Sequence, residues 1–215
     1  MELTLDQVTI NLPGAVLISR ISLIIQAGEI VTLMGPSGSG KSSLLAFIAG
    51  DLPPPLDGYG RVSLGGRDLG CLPPELRKIG RLFQDDMLFP HLTVGENLLF
   101  GMARGDRAER LGRMREALAD AGLEGFEDRA PHTLSGGQRT RVALFRALLA
   151  EPAAMLLDEP FAKLDMELRS AMRSLVFGHL KERRIPCLLV THDRADAPEG
   201  GRILTIGHDG EVRHD

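Results

Sequence analysis

Residues 30–43 read IVTLMGPSGSGKSS, and this stretch decides the fold. Its first five residues are a short continuous apolar run, the pattern of a strand buried on both faces. Next come Gly35, Pro36, Ser37, Gly38, Ser39, Gly40, Lys41, Ser42 and Ser43, which fit the spacing G-x-x-x-x-G-K-[ST]. A helix is expected from about Lys41, through KSSLLAFIAG. The chemistry asks for these residue types. A triphosphate needs many donors at close range, so the backbone must wrap it, and Gly35, Gly38 and Gly40 carry no Cβ to prevent that. The free N–H groups at the start of the helix favour an anion. Lys41 puts a point charge on a flexible stem within reach of β- and γ-phosphates. The Ser42 hydroxyl is a hard oxygen ligand of the kind Mg²⁺ takes. A strand–loop–helix unit that binds a nucleoside triphosphate is the expectation.

On the N-terminal side, residues 2–10 and 16–25 read as strands broken at Pro13-Gly14. On the C-terminal side, GDLPPPLDGYG (50–60) reads as a loop, and RVSL (61–64) and IGRLF (79–83) as strands. From about 91 to 150 the pattern turns helical, with apolar stripes at Leu111, Met114 and Leu118 and at Val142, Phe145 and Leu149 that read as packing faces. Two further apolar runs, AAMLL (153–157) and CLLV (187–190), flank a helix expected near 165–183. The tail segments ILTIG and EVRHD are expected to close as a hairpin. Together these predict an α/β protein: a P-loop NTPase core with a mainly parallel sheet, an N-terminal antiparallel β-lobe and an inserted helical subdomain. One domain is expected over 1–215, with 1–84 and 151–215 forming lobe and core and about 85–150 the helical part.

The composition agrees with a soluble globular chain: 215 residues, 43% hydrophobic, 25% charged and a net charge of −4. That charge argues against a nucleic-acid partner. No apolar run approaches the roughly 18–20 residues that cross a bilayer, and the acidic start (Glu2, Asp6) does not read as a signal peptide. Cys71 and Cys187 have no metal-ligand spacing and read as reduced thiols. Only four lysines occur (Lys41, Lys78, Lys163, Lys181), so one inside a glycine loop stands out.

Two more motifs carry chemistry. Asp158 and Glu159 follow the apolar run MLL at the C-terminal end of a strand, the edge where open α/β sheets bind ligands. Asp158 suits Mg²⁺, and Glu159 suits a general base or a group that orients the attacking water. Leu134, Ser135, Gly136, Gly137 and Gln138 then open the helix near 137–150 with a second small-residue loop, hence a second potential anion site. One nucleotide does not need two such loops from one chain. A dimer in which each chain's loop closes on the other's nucleotide resolves the excess.

With these motifs in order, the sequence resembles the ATP-binding subunits of ABC transporters, for which LSGGQ is the hallmark, over essentially the whole chain. The resemblance implies ATP and Mg²⁺ as cofactors, ATP hydrolysis, and roles for further residues. Gln84 in LFQD resembles the glutamine that senses Mg²⁺ and water, and so joins Ser42 and Asp158 as a metal-site residue. His192 in VTHD resembles the histidine that contacts the γ-phosphate. Asp165 in AKLD resembles the aspartate of the loop at the dimer interface. The catalytic set is then Glu159, His192, Gln84 and Lys41. Residues 83–101 resemble bacterial uptake systems, in which Met87, Leu88, Phe89 and Leu92 would line a groove for a permease helix.

The implied partners are a second copy, transmembrane permease subunits and an extracytoplasmic solute-binding protein, with the chain at the cytoplasmic face of the membrane. Thiamine or a similar small cation is the cargo that short ATPases of this form suggest, and the length leaves no room for the C-terminal β-domain of several sugar importers. Three positions depart from the family pattern: Leu12 replaces the usual adenine-stacking aromatic, and Ala162 and Lys163 alter the interface loop. Other readings are a soluble ABC ATPase, an exporter module and, from another class, a P-loop small-molecule kinase, which would have no use for LSGGQ.

Overall fold

A computed structural model describes residues 1–207 and 210–214. Two compact units emerge. The first comprises Met1–Arg81, Ala153–Glu159 and Val176–Asp215, and the second Leu82–Pro152 and Pro160–Leu175.

In the first unit, β1 (Leu3–Leu12) and β2 (Ala15–Ile25) form an antiparallel hairpin turned at Pro13-Gly14. β3 (Ile30–Met34) leads through the glycine loop into α1 (Lys41–Ala49). β4 (Asp57–Leu64) pairs antiparallel with β1, and the two-residue β5 (Arg67–Asp68) pairs with β4, giving the sheet order β2-β1-β4-β5. A second sheet takes β3, β6 (Ile79–Leu82), β7 (Ala154–Asp158), β8 (Cys187–Val190), β9 (Ile203–Ile206) and β10 (Val212–His214) in the order β10-β9-β3-β8-β7-β6. There β3 runs parallel to both β8 and β9, and β7 parallel to β8. β10 runs antiparallel to β9 and closes the tail as a hairpin. Residues 208 and 209, between the two strands in the sequence, and residue 215 lie outside the described residues. One apolar core joins the sheets across α1, with Leu3, Ile10, Ile18, Leu33, Leu44, Ile48, Leu156 and Leu188 all fully buried. β7 and β8 are buried at every position, as strands covered on both faces must be.

The loop expected over 50–60 is shorter than its composition suggests. Residues 57–60 belong to β4, where Asp57, Gly58 and Tyr59 pair with Asn11, Ile10 and Thr9. The glycines are strand residues because neighbours leave no room for side chains. A Cβ at Gly58 would lie 2.7 Å from the Phe47 ring, and one at Gly60 would lie 2.6 Å from Val8 Cα. Gly60 also has φ +116°, at an irregularity in the β1–β4 register.

The second unit carries α2 (Val94–Gly101), α3 (Arg107–Asp120), α4 (Gly136–Leu149) and the start of α5 (Met166–Glu182), which continues into the first unit. The expected stripes are packing faces: Met114, Leu118, Val142 and Phe145 are buried. Thr93 and Glu96 form a capping box on α2. The fully buried Asn97 bonds Phe89 N, Phe89 O, Leu92 O and Thr93 O, which fixes the turn before that helix. No described helix is long and apolar enough to cross a membrane.

Replacing Gly60 by Ala adds a Cβ into the β1 backbone at an unfavourable φ. Urea unfolding should show a loss of about 2 kcal/mol or more, larger than the roughly 1 kcal/mol of a strain-free glycine change.

Candidate nucleotide site

The end of α1 that faces the glycine loop has no cap of its own. Gly40 occupies the cap position with φ 89° and offers no side-chain acceptor. A Cβ there would lie 3.1 Å from Leu17 Cβ and 3.2 Å from Ile18 Cγ1, so the position is held to glycine twice over. The first-turn N–H groups are thus left for a ligand. The Ser39 Oγ is buried with no hydrogen-bond partner among the described residues. Lys41, only 9% exposed, donates from Nζ to Gly35 O and Pro36 O, both at 2.8 Å. Burial lowers the Lys41 pKa, and the Glu159 and Asp158 carboxylates oppose that shift. This is a cation parked on carbonyls at the mouth of a donor-lined loop, ready to exchange them for a stronger acceptor.

β7 delivers the carboxylates. Asp158 is 4% exposed, and burial raises its pKa. A hydrogen bond with the Ser42 side chain and the charge of Arg81 pull the other way, ahead of the opposing Glu159 and the favourable Lys41. Glu159 sits at φ +51°, a conformation costly for a non-glycine residue, with its N–H donating to Val190 O at 2.9 Å. Its carboxylate meets His192 Nδ1 at 2.8 Å from Oε1 and 2.7 Å from Oε2. The carboxylate accepts, so Nδ1 carries the proton and Nε2 is left for another partner. The turn holding His192 is braced by the buried Asp196, which accepts from Thr191 Oγ1 at 3.0 Å, while Thr191 Oγ1 accepts from Asp193 N.

The first unit therefore brings together the residues expected at 35–43, Asp158, Glu159 and His192. Gln84, residues 134–138 and Asp165 lie in the second unit. There Ser135 Oγ accepts from Gln138 N and Gln138 Oε1 accepts from Ser135 N, a complete capping box on α4. Unlike α1, this helix begins with part of its donor set already satisfied. Gln84 is exposed, and its carbonyl accepts from Lys163 Nζ at 3.0 Å. Asp165 caps α5, accepting from Leu168 N.

Sequence reading missed Arg81. Its Nη1 makes a two-point contact with Asp51 (2.6 and 2.8 Å) and its Nη2 reaches Ser42 O at 3.4 Å. It anchors both ends of α1. The available signal was a lone charge in the apolar run IGRLF. Asp196 was also missed, since a carboxylate in DRAD looks solvated until the fold buries it.

Among the described residues no cluster of three or more His, Cys, Asp or Glu could hold a metal by itself. The oxygen pair of Ser42 and Asp158 nonetheless fits Mg²⁺, which takes few protein ligands and completes its shell with phosphate and water.

A strand–loop–helix phosphate cradle beside an acidic strand end defines the class: a P-loop nucleotide-binding ATPase. The sequence model of the ABC transporter family matches residues 18–162, and the chain belongs to that family. It is 42% identical over 205 residues to the uncharacterised ABC transporter ATP-binding protein YnjD of Escherichia coli K12, covering 95% of this chain and 94% of YnjD. It is 40% identical to the sulfate/thiosulfate import ATP-binding protein CysA of Mycobacterium tuberculosis and 42% identical to the putrescine transport ATP-binding protein PotG of Escherichia coli. Those alignments cover 92% and 95% of this chain, but only 56% of CysA and 54% of PotG. Among solved structures, the dimeric post-hydrolysis ATP-binding cassette MJ0796 bound to ADP and Pi superposes with a TM-score of 0.86 at 36% identity, covering 99% of this chain and 97% of that one.

The raised Asp158 pKa carries a testable sign. A carboxyl whose folded pKa lies above its unfolded value costs stability once pH has risen through the folded pKa. Asp158→Asn should therefore raise the melting temperature of the nucleotide-free protein at pH 7, with the gain shrinking as pH falls toward 4. Scanning calorimetry across that range checks both the gain and its direction.

Proposed function

We propose that this chain is the ATP-hydrolysing subunit of an ABC importer for a small solute, working as a sandwich dimer beneath a permease. One observation carries the reading. A single unit holds an uncapped helix start with Lys41 at its mouth, a buried Asp158 bonded to Ser42, and a Glu159 fixed by its backbone and by His192. Such a set binds a triphosphate and aims a base at its γ-phosphate.

In the proposed cycle, phosphates take the α1 donors and the residue 35–43 backbone, and Lys41 leaves the Gly35 and Pro36 carbonyls for the β- and γ-oxygens. Ser42 and Asp158 would hold Mg²⁺, which when bound would neutralise charge on the β- and γ-phosphates, and Gln84 keeps the Mg²⁺- and water-sensing role that the family resemblance implies. Glu159 accepts a hydrogen bond from the attacking water and orients it in line. His192 supports Glu159 through Nδ1 and offers Nε2 to the γ-phosphate. Residues 134–138 of a second copy close the site, as the dimeric state of MJ0796 supports. Asp165 lies in the loop that would meet that copy.

An apolar patch suits the permease. Met87 and Phe100 are 61% and 65% exposed, and the Phe100 ring packs at a tilt against that of Phe89, with centroids 4.5 Å apart. With Leu88 and Leu92 they offer a seat for a short helix at the cytoplasmic membrane face. The names of CysA and PotG support import. Cargo selection would fall to the permease and a solute-binding protein.

Phosphate release without any acceptor substrate distinguishes this ATPase from a kinase. Glu159→Gln should bind ATP with near-normal affinity, dimerise and lower turnover at least a hundredfold. Lys41→Ala should weaken ATP binding at least tenfold by calorimetry. Wild-type turnover in Glu159→Gln would remove the base assignment.

A further inference from the structure

Within the second unit, one carboxylate joins three loops. Asp86, its side chain 9% exposed, accepts from Thr140 Oγ1 at 2.6 Å and from Arg139 Nε at 3.3 Å, both on the first turns of α4. Lys163 Nζ lies 3.5 Å from the same carboxylate and donates to Gln84 O at 3.0 Å. Arg139 Nη1 also donates to Leu134 O at 2.7 Å, and Arg146 donates to Met87 O at 2.9 Å and Asp86 O at 3.4 Å. The loop from Gln84 to Met87, the start of the LSGGQ helix and the loop that precedes Asp165 are thus tied through one acid and its cations.

The backbones are correspondingly close. A Cβ on Gly137 would lie 2.9 Å from Lys163 O, so the second glycine of LSGGQ is required for the interface loop to pass. Lys163 is one of only four lysines in a chain whose other cations are arginines. A compact ammonium on a flexible stem can serve a carboxylate and a carbonyl at once, without the planar fork that arginine would impose. The Asp86 side chain is mostly out of water, whereas those of Lys163 and Arg139 keep 40% and 38% of their surface exposed, so the carboxylate is the fixed member of the cluster.

We propose that Lys163 and Asp86 are positioning residues for Gln84: they hold its loop in register with the LSGGQ helix and the Asp165 loop, so that arrival of a second copy at those two elements is felt at Gln84. The inference rests on the reading of Gln84 as a residue of the nucleotide site. Neither side chain touches the nucleotide in this account, and ATP affinity, set by the first unit, should not depend on them.

The test compares Lys163→Met, Asp86→Asn, their double variant, Lys163→Arg and Gln84→Ala in the full chain. Melting temperature and nucleotide-free hydrogen exchange over residues 84–88 are read beside steady-state hydrolysis. The latch predicts a kcat lowered about tenfold in Lys163→Met and Asp86→Asn, with KM for ATP within twofold of wild type. The double variant should be no slower than the worse single one, the signature of coupled residues. Lys163→Arg should recover part of the loss, and exchange at 84–88 should quicken in Lys163→Met before any nucleotide is added. Unchanged kcat and exchange in Lys163→Met, with Gln84→Ala impaired, would overturn the latch while leaving the role of Gln84 standing. Full activity in Gln84→Ala would overturn both. A loss of melting temperature with kcat unchanged would leave only packing and would also overturn it.

Discussion

The start of α1 has donors and no internal acceptor for them, and the rest of the first unit is arranged around that fact. A helix leaves its first four N–H groups unsatisfied, and here Gly40 supplies no cap. The sheet pins the loop in place by pairing β3 with β8 on one side and β9 on the other. The far end of the helix is closed firmly. Gly50 ends it, and Arg77, 8% exposed, donates to Phe47 O, Ile48 O and Leu72 O. Arg81 ties Asp51 past that end to Ser42 O near the beginning. A helix anchored at its C-terminus and unsatisfied at its N-terminus is preorganised for a polyanion, and binding has little ordering left to do.

The two small-residue loops of the chain are in different conditions. α1 begins uncapped, whereas α4 begins with a closed box between Ser135 and Gln138. An open terminus suits a phosphate that supplies the missing acceptors. A terminus that is stable alone suits the proposed contact with a second copy's nucleotide, which it can await without a ligand of its own. The Glu159–His192 pair follows a similar logic, since each is held before substrate arrives, one by a strained backbone and the other by a braced turn.

Most of the fold was legible because strand and loop signals agreed. The run IVTLM, the glycine loop and the apolar runs at 153–157 and 187–190 have few alternatives to a buried parallel sheet. The stretch 50–60 was less legible. Its glycines imitate a loop, but close approach of Phe47 and Val8 makes Gly58 and Gly60 strand residues, and that demand is visible only in three dimensions. Motif spacing made residues 35–43 and 134–138, Asp158 and Glu159 candidates, because phosphate chemistry needs particular groups at particular separations, and the family resemblance alone added Gln84, Asp165 and His192. Residues that hold those groups in place escaped it. Arg81, Asp86 and Asp196 act through partners 5 to 77 positions away, and no local pattern encodes such a pairing.

The central claim is that one chain carries half of each hydrolytic site and a second copy completes it. The most direct measurement is the turnover per chain of the purified protein at saturating MgATP over a thousandfold range of protein concentration. A composite site predicts that turnover per chain rises with concentration, first in proportion and then to a plateau as the dimer fills. Constant turnover per chain down to the lowest concentration, with the protein shown to be monomeric there, would contradict the account.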